Sequence, residues 1–240
     1  MFTIPVGLIQ TGIGGAGIVP AAFRSSASNT LPSGNSSMTI TKPSGVVSGD
    51  LLVFIFYRDN NQSMSTPPSG WTLDHDGAAT IDGQSSKYYV SHKVAGGSEP
   101  ANYTWTFGGG TGNKIGVILA YQDGHATQID TSAVTNPAGT STDAQVSDAI
   151  TTAQDSAMVV VAWMMNRTGT PIGTIASISG SMTQRHFSDL GASALDKGLA
   201  IYDKVKSPTA AGSFTAKTLT MTNTDVSSIA VAVVIRAAGT

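Results

Sequence analysis

Two stretches of the chain, Leu51–Tyr57 (LLVFIFY) and Met158–Met165 (MVVVAWMM), carry no polar side chain beyond a tyrosine hydroxyl. Each is too short for a buried helix, rich in β-branched and aromatic residues, and preceded by turn formers, which predicts a strand at the centre of a sheet. A strand apolar on both sides needs cover on both faces. Antiparallel sheets usually leave one face to water. One side is therefore expected to meet an opposing sheet, and the other an N-terminal arm, a loop or another subunit.

The rest of the chain from Ser36 follows period two or short buried runs. Strands are expected at 37–41, 50–58, 71–74, 86–94, 103–107 and 114–122. In the second half they are expected at 144–150, 157–165, 174–179, 182–188, 198–206, 213–221 and 226–236. Pro67-Pro68-Ser69-Gly70, Gly96-Gly97 and Gly108-Gly109-Gly110 punctuate them. No window shows a helical stripe, because glycine and β-branched residues recur too often. Many short strands without helices predict an all-β, antiparallel sandwich.

Four segments of the first half are echoed in order in the second. Asp50–Asp59 resembles Ser156–Met165, and the corner Ser69-Gly70-Trp71-Thr72 resembles Gly180-Ser181-Met182-Thr183. Lys87–Val94 resembles Gly198–Val205, and Ile115–Gln122 resembles Ile229–Arg236. Each echo lies about 110 residues further along, which predicts two related halves. Neither half should cover both faces alone, so residues 36–240 are expected to form a single sandwich domain with one shared core.

Residues 1–35 are expected to be an extended arm and linker. No charged residue precedes Arg24, and the leader alternates apolar side chains (Phe2, Ile4, Val6, Leu8, Ile9, Ile13, Ile18, Val19) with glycine and proline. It has neither the basic start of a secretory signal nor the unbroken length of a membrane helix. The expectation is an assembly arm lying on its own domain or on a neighbouring subunit. Lys and Arg number 13 and Asp and Glu 15 in 240 residues, a charged fraction of 12%. That is about half the usual share, and a skin so poor in charge suits a protein built into an assembly. The net charge of -2 offers no basic field for nucleic acid or an anionic membrane.

No catalytic residues are expected. There is no cysteine, no Gly-x-Ser-x-Gly elbow and no pair of histidines at helical metal spacing. Asp74-His75-Asp76 could hold a cation only with further acids, so neither a metal site nor a cofactor is expected. The glycine-rich stretch 108–112 lacks phosphate-loop spacing and leads into a strand at Lys114. Tyr103 and Trp105, with Asn113 across that loop, are the expected contacts should a host glycan bind by stacking.

Pro43-x-Gly45-Val46-x-x-Gly49-Asp50-Leu51-Leu52-Val53, Pro67-Pro68-x-Gly70-Trp71-Thr72, Lys87-Tyr88-Tyr89 and Glu99-Pro100-x-x-Tyr103-Thr104-Trp105 together resemble a family of phage-encoded virion proteins. Its members also occur in bacterial prophages as tail, fibre or head-decoration components. The resemblance covers roughly 25–236. It implies a jelly-roll-like sandwich, no enzymatic activity, and a place on the outer surface of a virion. The expected role is capsid decoration (cement), bound to other virion proteins and to copies of itself, as in a trimer. The alternative is a tail-fibre or baseplate protein that recognises host glycan.

Overall fold

In a computed structural model of the chain, the two apolar runs become β3 (Leu51–Asp59) and β12 (Met158–Thr168), each at the centre of a five-stranded antiparallel sheet. The structure describes residues 18–109, 112–122, 124–135, 144–153, 156–169, 171–191, 195–206 and 212–238. Among these there are strands and turns and no helix. The first sheet contains β1 (Ala22–Leu31), β3, β5 (Thr72–Ile81), β6 (Gln84–Val94) and β8 (Lys114–Gln122), in the order β1-β8-β3-β6-β5. The second contains β9 (Gly124–Thr135), β12, β14 (Thr183–Asp189), β15 (Leu195–Val205) and β18 (Ser227–Ala237), in the order β9-β18-β12-β15-β14.

Each large sheet has a three-stranded companion. β2 (Ser37–Thr41), β7 (Asn102–Phe107) and β4 (Met64–Thr66) form one, in the order β2-β7-β4. β10 (Ala144–Val146), β17 (Thr218–Met221) and β13 (Ile175–Ile178) form the other, in the order β10-β17-β13. β11 (Ile150–Thr152) and β16 (Gly212–Phe214) pair as a separate ribbon.

Three apolar clusters show how these layers stack. Leu51, Val53 and Ile55 meet Met158, Val160 and Ala162 between the two five-stranded sheets. The alternate residues of β3, Leu52, Phe54 and Phe56, pack against Met38, Ile40, Trp105 and Phe107 of the first small sheet. Val159, Val161 and Trp163 pack against Leu219 and Met221 of the second. The result is four layers, with the large sheets inside.

This corrects one expectation. Both faces of β3 and β12 are covered by the chain's own sheets, so their double-sided apolarity requires no other subunit. The cluster between the two large sheets is shared by both, and one further cluster lies on the outer side of each. A further correction concerns the stretch expected as arm and linker. Ala22–Leu31 is the edge strand of the first sheet, paired with β8 from Ala22↔Gln122 to Leu31↔Lys114.

The pairing registers of the two halves coincide. Leu51 pairs with Val94 and Tyr121, and Met158 pairs with Val205 and Ile235. A bulge separates Leu73 from His75 on β5, and another separates Gln184 from His186 on β14. A third separates Met64 from Thr66 on β4, matched between Ile175 and Ser177 on β13. By this register Leu51 corresponds to Met158, one residue away from the alignment in which Asp50 matches Ser156. A slip of one residue exchanges the two faces of a strand, and a strand apolar on both faces gives no sequence signal against it.

Candidate functional site

The rungs of the first sheet divide the molecule into two chemically different ends. Ala22, Gln122, Tyr121, Leu51 and Val94 lie along one end of the sheet, and Leu31, Lys114, Arg58 and Lys87 along the other. With nine residues in β3, the two ends are roughly 30 Å apart.

The first end is where the described chain begins and ends. Val19 forms an antiparallel bridge with Ala238, each N–H donating to the other's carbonyl at 3.1 and 2.8 Å. Ile18, Val19, Val47 and Val94 are all exposed there, at 42 to 54%. They are four of the six large exposed apolar residues among those described. Of the expected arm residues, Ile18 and Val19 therefore sit on the surface, whereas Phe2, Ile4, Val6, Leu8, Ile9 and Ile13 lie outside the described residues. Just inside this end, Arg24 is ion-paired with the buried Asp50, its Nε 2.7 Å from Oδ2 and its Nη2 donating to Oδ1 at 3.0 Å, and Asp50 also accepts from the N–H of Val47.

The second end is ionic and largely sealed. Arg58 and Lys114 face each other across β3 and β8, both fully buried. Arg58 donates to the carbonyl of Asp59 and Lys114 to that of Gly112. Burial, reinforced by Arg58, pushes the Lys114 amine down to about 8. Asp59 reaches into the seam between the two large sheets, where Lys197 Nζ lies 2.6 Å from its Oδ1. Lys197 also lies over the Tyr57 ring. Around this pair Asn166 donates to the carbonyl of Ile81, Thr168 to Asp82, and the N–H groups of Ile172 and Lys197 to Asp196. At the other end of the seam the Tyr121 hydroxyl and Arg185 both donate to Asp203, and Arg185 lies over Phe23.

The residues expected to touch glycan are not brought together. Trp105 is fully buried and stacks on Phe54 at 3.8 Å. Tyr103 is 2% exposed and donates to Glu99 at 2.7 Å. Asn113 is half-buried at the ionic end, where its carboxamide oxygen accepts from the N–H of Ser33. The two aromatics are core residues because β7 turns alternate side chains inward onto β3. A sugar cannot stack on a face already covered by Phe54.

The acids of Asp74-His75-Asp76 are engaged by basic partners, Asp74 with His92 at 2.8 Å and Asp76 with Lys87. Among the described residues no three acids or histidines are grouped to hold a metal ion. No helix there is long and apolar enough to cross a membrane.

Sequence reasoning missed the ionic seam. Composition could not show it: six of the 13 cationic residues (Arg58, Lys87, Lys114, Lys197, Lys206, Lys217) are less than a tenth exposed, in a chain poor in charge. Cations that stay buried are rare unless paired. Comparison with protein-family models, curated proteins and solved structures finds no match to this chain.

Proposed function

We propose that the chain is a non-enzymatic structural protein of a tailed-phage virion, acting as a capsid decoration protein that docks through its apolar end. The observation that carries this reading is the exposure of Ile18, Val19, Val47 and Val94 at one end of the molecule, the end from which the uncharged sequence 1–17 precedes the described chain. Exposed apolar side chains gathered at one end are suited to burial against another protein. The partners are the shell protein and further copies of this chain, set around a symmetry axis. Many such contacts on one particle hold a coat together even when each is weak.

The order of strands adds support by analogy of fold. In the first half, the first, eighth, third and sixth strands lie side by side, facing the second, seventh and fourth. This order supports a jelly-roll-like winding, an architecture used in viral coats, with the fifth strand placed beside the sixth in the larger sheet. The second half repeats it, and we infer that the two are related copies.

The test is co-sedimentation of the purified chain with particles of its phage. Full-length protein should bind, and a chain lacking residues 1–17 should stay in solution while keeping its β-sheet circular dichroism. Equal binding by the two forms would overturn the reading. Adsorption to host cells gives no support to the alternative of glycan recognition unless it survives competition with purified shells.

A further inference from the structure

We propose that Lys197 and Asp59 are joined by an intramolecular isopeptide bond, which locks the first half of the molecule to the second. Three observations converge on this pair. Lys197 Nζ approaches Asp59 Oδ1 to 2.6 Å as an ion pair, and both atoms are sealed from solvent. No water-exposed partner competes with the contact. Secondly, the Lys197 side chain is 1% exposed, and burial pulls its amine below the usual lysine range against the opposing pull of Asp59. A desolvated lysine is a nucleophile in waiting. Thirdly, β3 and β15 hold the two groups on packed strands, so the encounter needs no further ordering.

The neighbouring groups divide the remaining work. The carboxylate of Asp196 accepts from the main-chain N–H groups of Ile172 and Lys197 and is held by them. Asp82, whose charge also acts on Lys197, accepts from the Thr168 hydroxyl through Oδ2. It is the acid placed to relay protons. In the step, the ammonium of Lys197 gives a proton to the Asp59 carboxylate, which leaves a neutral amine beside a neutral acid. The nitrogen lone pair attacks Asp59 Cγ and forms the C–N bond. Asp82 takes the surplus proton from nitrogen and returns it to a hydroxyl on the tetrahedral carbon. The C–O bond breaks and one water leaves. Nothing is oxidised or reduced, and no other reactant enters.

Asn166 stands directly opposite Lys197 on β12 and is the competing electrophile. Its amide nitrogen is held by the Ile81 carbonyl at 2.9 Å, and reaction there would release ammonia in place of water.

The deciding measurement is the intact mass of the denatured full-length protein at isotopic resolution, followed by a tryptic map. The expected result is a mass short by one water, no cleavage after Lys197, and a branched peptide joining the segments that contain Asp59 and Lys197. A mass equal to that of the unmodified sequence overturns the proposal, and so does loss of ammonia with a branch at Asn166. Lys197→Met and Asp59→Ala should each restore the full mass. The wild-type mass is decisive even if these variants fold poorly. Freshly made Asp82→Ala should retain an unlinked fraction, and complete linkage at the wild-type rate would remove Asp82 from the mechanism. None of these readings depends on binding to a particle.

Discussion

Asp74 and Arg185 occupy the same bulge in their respective sheets and carry opposite charges. Asp74 on β5 lies against His92 of β6, and Arg185 on β14 lies against Asp203 of β15, each at 2.8 Å. The backbone arrangement is shared, while the polarity is reversed. Such a position constrains the pair and leaves each member free to change sign. Asp74→Arg alone should destabilise the protein, by placing a cation beside His92. The double variant Asp74→Arg with His92→Asp should recover about 1 kcal/mol or more, the coupling typical of residues in contact. A urea double-mutant cycle measures it, and strict additivity would refute the equivalence.

The Arg24–Asp50 pair offers a second use of that comparison. Asp50 is 3% exposed, and its counterpart in the other half is Ala157. Asp50→Ala leaves Arg24 without its carboxylate and should cost roughly 2–4 kcal/mol. Changing both residues, Arg24→Met with Asp50→Ala, should cost less than the single change. Denaturation midpoints at equal slope decide this.

Gly116 lies against the first small sheet with no room for a side chain. A Cβ there would come within 2.5 Å of Met38 Sδ and 3.0 Å of Ile40 Cδ1. Gly116→Val should cost about 2–3 kcal/mol through overpacking, and adding Met38→Ala should return part of it. A fully stable Gly116→Val protein, judged by its Tm, would contradict the packing described.

Trp105→Ala removes a ring stacked between sheets and should cost about 3–5 kcal/mol. Binding of any glycan by the folded fraction should be unchanged, since the ring has no free face. A variant of full stability that had lost adsorption to host cells would instead place Trp105 at a surface.

Acid should act through His186 and Asp189 with opposite signs. Burial pushes His186 down to about 4, against 6.5 when free, so the unfolded chain takes up more protons between these values. The stability this gives is complete above about pH 6.5 and is lost as pH falls toward 4, about 2–3 kcal/mol in all. Asp189 is pushed up to about 6 by burial and by its hydrogen bond with Asp196, against 3.8 when free. There the folded chain holds more protons, so the contribution of this group improves as pH falls through the same region. His186→Gln should flatten the acid loss seen in urea titrations at about pH 7 and about pH 4.5, and Asp189→Asn should steepen it. An unchanged slope in His186→Gln would show that another group titrates.

The strands legible in the sequence were those with a strong apolar pattern. β2 and β8 coincide with the expected spans, and β3, β6, β7, β12 and β18 differ by a residue or a few. β1 and β9 passed unnoticed because they are edge strands (AFRSSASNTL and GHATQIDTSAVT), rich in serine, threonine and alanine and without an alternating apolar pattern. The 144–150 and 213–221 spans each divide into shorter pieces, for which no apolar signal existed. The two-sided runs announced central strands correctly, but nothing in them said whether the cover came from this chain or another. The charged seam was hidden for a related reason. Asp59, Asp82 and Lys197 are far apart in sequence, each at a strand end or turn where an ordinary solvated charge would also stand.

The bridge between Val19 and Ala238 sets where a passenger could be attached. Residues 18 and 238, the ends of the described chain, lie at the same pole as the exposed Val47 and Val94. The turn at Ser33-Gly34 lies at the opposite pole, and no atom beyond its chain neighbours comes within 4 Å of a Cβ built at Gly34. A peptide spliced there would project from the pole opposite Ile18, Val19, Val47 and Val94.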